Sequence, residues 1–304
     1  MIGEAAGLTT SLLWTLGSII FASAVKKIGA FNVNTLRILF GSVLLGIAHL
    51  VSTGSLAPTA NPRQFFFMSL SSIIGLVIGD FAYFATLENL GPRRAVLMLS
   101  TAPIFSAVAG YVLIGETLNI LGIVGIAVTM TGVALVLLEK EGTTGEASLT
   151  AREKGIGVAL GLIASLAQGI GLVISKIGMV KSSGPDGKEL NPLSATLIRM
   201  ITATIVIWLI AVLLKKTGNV VSSLKKKGVA KSILGGTICG PFLGIWFSMI
   251  AVAHTKAGIA ATLMSLMPVM VIPILYIIYR QKTSMRSIIG AMITVVGVAI
   301  LFLL

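Results

Sequence analysis

Residues 94–105 read RAVLMLSTAPIF, and residues 259–270 read IAATLMSLMPVM. In each, small and apolar residues lead through Met and Ser to a proline set inside an apolar run. A proline within a helix removes a backbone hydrogen bond and clashes with the preceding turn. The same interruption, twice and in the same setting, points to an internal repeat. Sliding the sequence by 165 residues lays Pro103 on Pro268, Ser100 on Ser265 and Gly79 on Gly244. It also lays Gly125 on Gly290, Thr129 on Thr294 and Gly132 on Gly297. Earlier in each copy the offset is 162, and Arg37 meets Arg199.

The repeat belongs in a membrane. The chain is 56% hydrophobic and only 11% charged, with a mean hydropathy of +1.02. Its apolar runs are about twenty residues long, enough to cross a hydrocarbon core of roughly 30 Å. The spacing predicts ten helices, at 5–25, 32–52, 65–87, 94–114, 120–138, 156–177, 192–214, 232–253, 257–279 and 286–304. The expected fold is therefore an all-α integral membrane protein. One five-helix repeat occupies 1–138 and a second 156–304, joined by a polar linker at 139–155. Five spans per repeat is an odd number, so the second copy enters the membrane upside down, an arrangement common in transporters.

A net charge of +13 and a pI near 10.1 would suit a nucleic-acid binder. The basic residues, however, sit in short loops between spans, where they act as topology signals. The loops after spans 1, 3, 5, 7 and 9 carry sixteen Lys and Arg, against four on the opposite side (Arg63, Lys181, Lys188 and Lys256). That asymmetry places both termini outside the cell membrane. The expected partners are a small-molecule substrate and lipid, with no nucleic acid. A lone cysteine, Cys239, excludes an intrachain disulfide and any cysteine-based zinc site. No cofactor or metal is expected. The first apolar run lacks a basic leader and carries Glu4, so it reads as a permanent helix.

In lipid, every backbone carbonyl needs a partner within the protein. Matching proline interruptions are therefore expected to line a polar cavity, which makes Ser100, Pro103, Ser265 and Pro268 candidate site residues. Ionisable groups inside spans are costly unless paired or hydrated. Arg37 and Arg199 lie at similar depths from opposite faces. Two guanidiniums facing inward favour an anionic or zwitterionic ligand; the competing reading is snorkelling to the interface. Asp80 is the acid well inside a span. It is the proton-coupling candidate, because a carboxyl in a poorly hydrated cavity can exist in both protonation states. Its competing role is a static pair with Arg37. The second copy has Ile245 at that position, so the acid is not duplicated.

Trp14, which aligns with Gln168, and Tyr83, which aligns with Ser248, complete the candidate contacts together with Trp246. Lys176 is expected to snorkel, and Glu116 to be solvated or to cap a helix. Gly125 and Gly132, like Gly290 and Gly297, lie seven residues apart on one helical face, and small residues allow close helix approach in lipid. They predict packing of the fifth span on the tenth within a monomer, with a homodimer face as the alternative.

The first repeat, through ATLENLGPRRAVLMLSTAPIFSAVAGYVLIGETLNILGIVGIAVTMTGVAL, resembles EamA-type members of the drug/metabolite transporter superfamily. The features that carry the resemblance are Pro103, the Gly115-Glu116-Thr117 turn and a fifth helix with Gly125 and Gly132. The second copy departs from it, with Arg280-Gln281 in place of Gly115-Glu116. The resemblance implies ten helices around a central cavity and transport of small metabolites by alternating access. It also implies cytoplasmic termini, against the charge count. The function expected is secondary transport of a small metabolite, an amino acid or other anionic or zwitterionic compound, by export. The alternatives are a passive channel or lipid-handling protein. A membrane-embedded enzyme is not expected, since no HExxH occurs and neither histidine suits a Ser–His pair.

Overall fold

The computed structural model describes residues 1–90, 95, 98–137, 151–179, 189–270, 273–274 and 285–303. Most of the linker at 139–155, the far part of the ninth predicted span and the Arg280-Gln281 turn lie outside them. All regular structure among the described residues is helical. The elements are α1 (Ile2–Ile28), α2 (Ala30–Thr53), α3 (Pro62–Ser72), α4 (Asp80–Leu90), α5 (Ala102–Ile114), α6 (Ile120–Leu137) and α7 (Ala151–Met179). There follow α8 (Pro192–Leu213), α9 (Thr217–Ser223), α10 (Val229–Thr237), α11 (Ile245–His254), α12 (Ala257–Met264) and α13 (Met285–Phe302). Short α9 was not expected; it lies within the basic loop before the eighth span. In the other direction, α7 begins five residues earlier than its apolar pattern suggests.

Seven of the helical runs are long and apolar enough to cross a membrane, and three shorter apolar helices stand at the fourth, fifth and ninth predicted spans. The chain is a multi-pass membrane protein. Its burial pattern fits that solvent: Val43, Ile47, Val51, Val108, Val112 and Leu209 are exposed, while Thr10, Thr35, Ser71, Asp80, Thr129 and Arg199 are buried. Polar groups inside and an apolar belt outside are what lipid demands.

The repeat is visible in backbone irregularities. α3 and α4 are joined by a π-helical segment, Ile73–Gly79. α10 and α11 are joined by another, Ile238–Gly244, each end of which lies 165 residues after its counterpart. A π segment adds a residue to the turn and shifts the side chains that follow. Pro241 falls inside the second one. Each segment packs through glycine onto a helix of the other repeat. A Cβ on Gly171 would stand 3.0 Å from the Gly75 Cα, and one on Gly17 would stand 3.3 Å from the Gly240 nitrogen.

Helices α6 and α13 form the second seam, as their glycines predict. A Cβ on Gly132 would stand 2.6 Å from the Gly290 carbonyl oxygen, and one on Gly290 would stand 2.9 Å from that of Gly132. Gly132 lies under Thr294 and Gly297 under Thr129, a reciprocal contact between the two copies. Gly125 takes the Leu301 side chain. These four glycines are thus occupied by packing within the chain.

Candidate functional site

The prolines of the opening stretches do not sit inside continuous helices. After Met98 and Leu99 the chain turns at Ser100–Thr101, and α5 restarts with Thr101 as its N-cap and Pro103 in its first turn. Proline is tolerated there because the first turn has no intrahelical use for its N–H. α12 likewise ends at Met264, turns at Ser265–Leu266 and resumes at Met267 just before Pro268. Hydroxyls gather on carbonyls beside the breaks. Thr101 Oγ1 donates to the Met98 carbonyl at 2.7 Å, and so does Ser165 Oγ of α7. In the second copy Thr15 Oγ1 of α1, which donates to the Ser11 carbonyl at 2.7 Å, stands 3.5 Å from the Met267 carbonyl. Ser265 Oγ donates to Thr262 O at 2.8 Å and approaches Met130 Sδ at 3.8 Å. Pro103 and Pro268 are buried. A groove of about 270 Å³ beside the first break is lined by Ser100, Thr101, Met130, Thr131, Val133 and Ala134.

One helical turn along α7 from Ser165 stands the charged centre. Arg37 Nη2 donates to Asp80 Oδ2 at 2.5 Å, and its Nε donates to Asn34 Oδ1 at 2.8 Å. The guanidinium carbon lies 5.7 Å from the centre of the Phe84 ring. Asp80 is the first residue after the π segment, and its second oxygen accepts Gln168 Nε2 at 3.3 Å. The expected static pair with Arg37 is therefore present, and neither arginine snorkels. Arg199 is 3% exposed. Its Nη1 donates to Met249 Sδ at 3.1 Å, while its Nε has no partner. A Cβ on Gly75 would stand 3.5 Å from Arg199 Nη2 and 3.8 Å from Gln168 Oε1, so the two side chains meet at that glycine. The cluster holds two positive groups and one negative.

Aromatic rings pack around it. Trp14 crosses the face of Gly244, where an added Cβ would lie 2.5 Å from the indole nitrogen. Trp246 packs on Phe242, with centroids 6.1 Å apart, and Tyr83 on Phe84 at 5.7 Å. Trp14, Phe81 and Trp246 share an apolar cluster with Ile38, Leu76, Leu197 and Ile245. The expectation of an open polar pocket is corrected in one respect. The centre is closed by packing, with Asp80 only 7% exposed, and Ser100 and Ser265 stand at the breaks rather than on the charges.

Lys176 does not snorkel. Its Nζ pairs with Glu116 Oε1 at 2.5 Å and donates to the Thr255 carbonyl at 2.5 Å. Glu116 Oε2 accepts the Ala257 backbone N–H at 2.8 Å, so this carboxylate caps α12. The end of α5, the end of α7 and the α11–α12 turn are thereby tied together at one face. His49 is also engaged: its ring nitrogens lie 2.7 Å from the Ser55 carbonyl and 2.9 Å from Ser194 Oγ. No cluster of metal-ligating side chains occurs among the described residues. Sequence reasoning missed Asn34, Met249 and the Glu116–Lys176 pair. The first had a signal, standing one helical turn before Arg37.

Paired π segments, paired breaks and a buried charged centre define a polytopic membrane bundle built from two repeats. Residues 1–138 and 155–303 each match the EamA-like transporter family, and the chain belongs to that family. It is 27% identical over 142 residues to a protein of Archaeoglobus fulgidus named "Uncharacterized transporter". That match covers 46% of this chain and 49% of the relative, about half the length of each. A solved crystal structure shares the fold, with a TM-score of 0.74, 19% identity and coverage of 99% of this chain and 96% of that one.

Proposed function

We propose that the protein is a secondary transporter that moves a small anionic or zwitterionic metabolite, an amino acid among the candidates, by alternating access. The observation that carries this reading is the Arg37–Asp80–Gln168–Arg199 cluster. It lies where the Ile73–Gly79 π segment meets the opposite repeat, and no Ser–His or Cys–His pair accompanies it among the described residues. Ten crossings, both termini outside and outward transport complete the proposal; the charge asymmetry of the loops supports the orientation. The buried centre, together with the Lys176–Glu116 tie across one face, corresponds to a closed stage of the cycle. Trp14, Tyr83, Gln168, Trp246 and the two arginines are assigned to substrate contact. The breaks at Ser100–Pro103 and Ser265–Pro268 serve as hinges. Asp80 is assigned the coupling proton.

The test is counterflow in reconstituted vesicles preloaded with a defined mixture of amino acids and small organic acids. Saturable, self-exchanging loss of particular compounds is expected, and it should be impaired in Arg37→Ala and Arg199→Ala protein that still inserts. Absence of exchange for every compound, in protein shown to be folded, sinks the transporter reading.

A further inference from the structure

The two arginines occupy equivalent sockets with different acceptors. In the first socket, Nε and Nη2 of Arg37 are held by oxygens of Asn34 and Asp80, and the guanidinium lies over Phe84. In the second, the residue matching Phe84 is Met249, and Arg199 Nη1 rests on its sulfur. The socket is therefore retained. Its oxygens are not. Thr196 stands where Asn34 would be, and its hydroxyl is turned to the Pro192 carbonyl at 2.7 Å. Ile245 stands where Asp80 would be. Arg199 Nε is consequently without a partner in a side chain that is 3% exposed.

We infer that Arg199 is the anchor for a ligand carboxylate, whose two oxygens take the places that Asn34 and Asp80 fill around Arg37. Arg37 is the internally neutralised member of the pair and Arg199 the open one. This rests on the transporter reading and narrows it to monocarboxylates. The Nε–Nη2 edge of a guanidinium matches a planar two-oxygen anion. One bound negative charge balances Arg37, Asp80 and Arg199 to zero, and an unbalanced charge in a membrane interior is costly. Gly75 places no side chain between Arg199 Nη2 and Gln168 Oε1, which lie 3.5 and 3.8 Å from where its Cβ would stand.

The experiment is thermal unfolding of the purified full chain with linear, branched and aromatic monocarboxylates, each beside its primary amide. Acids should raise Tm and their amides should not. The acid effect should vanish in Arg199→Gln and weaken in Gly75→Ala, where the added methyl makes only ordinary contacts. Ile245→Asp is the decisive variant. It supplies the missing anion from within, so it should hold or raise the resting Tm while abolishing the acid effect. An acid effect surviving in Arg199→Gln, equal stabilisation by the amides, or no shift with any acid overturns the inference. A large loss of resting stability in Ile245→Asp does so too. Vesicle counterflow of a neutral or cationic compound alongside any of these leaves the transporter reading standing; absence of all counterflow removes both.

Discussion

Neutralising Asp80 tests the charge balance of the interior directly. Asp80→Asn leaves Arg37 with Asn34 and an amide oxygen, and raises the net charge of the buried cluster from one positive to two. Removing one partner of a buried ion pair costs about 3–5 kcal/mol. The Arg37 and Asp80 side chains are 18% and 10% exposed, and an amide oxygen restores a neutral hydrogen bond of about 1 kcal/mol. The expected loss is therefore roughly 2–3 kcal/mol, the low end of that range less the restored bond. For a chain of 304 residues that lowers Tm by roughly 3–5 °C. The three tryptophans give an intrinsic fluorescence signal for unfolding in detergent. The reasoning requires an ordering as well as a size. Arg37→Gln with Asp80→Asn returns the cluster to one positive charge, so the double variant should recover most of the loss. Arg199→Gln leaves the Arg37–Asp80 pair whole and removes the uncompensated cation, so it should be the mildest of the set. An Asp80→Asn protein within about 1 °C of the parent, less than one kcal/mol would produce, refutes the argument. So does a double variant as unstable as the single.

The other predictions are more local. Gly132→Val drives a side chain into the Gly290 backbone of the α6–α13 seam and should cost about 1–3 kcal/mol or more. Gly46→Ala meets nothing within 4 Å and should be silent, both read as Tm in detergent. Ser165→Ala withdraws a cross-helix donor from the Met98 carbonyl; a loss of about 1 kcal/mol is expected. Lys176→Met should speed thiol labelling of a Thr255→Cys probe in a Cys239→Ser background, because it unties α7 from the α11–α12 turn; unchanged labelling rates discard the tie as a gate. If Asp80 carries the coupling proton, an imposed pH gradient should drive transport in the parent and fail to drive it in Asp80→Asn; indifference of the parent to the gradient ends that assignment.

The membrane class, the repeat and its seams were legible because they rest on pattern. A glycine strip seven residues apart fixes a helix face, and its mirror 165 residues on names the partner face. The Arg37–Asp80 pair was legible because so few charges lie within the spans. The π segments were legible only as breaks, from Gly75 and Gly79 in the third span and GGTICGPFLG at 235–244 in the eighth; their hydrogen-bond pattern was not. Nor was the fate of the prolines: a mid-run proline signals an interruption, but only the chain's turn at Ser100–Thr101 reveals that the helix restarts around it. The capping role expected of Glu116 is present, but its pairing with Lys176 was missed for a related reason. Each looks like a solitary helix-end charge in sequence, and the three segments they join are far apart along the chain.

The two copies have kept different things. Backbone mechanics are duplicated: a π segment against glycine, a break ahead of a proline and a hydroxyl from the facing helix occur in both halves. The chemistry is single. Asp80 faces Ile245 across the repeat, Asn34 faces Thr196, Gln168 faces Trp14, and Glu116 faces Gln281. A symmetric scaffold lets each half adopt the conformation of the other, which is how inverted repeats generate two access states. A symmetric set of charges would instead neutralise both arginines internally and leave no unbalanced group for a ligand to satisfy. On the proposed reading, breaking the symmetry only at the side chains would keep the exchange between states while leaving one guanidinium, Arg199, with an Nε that the scaffold does not partner.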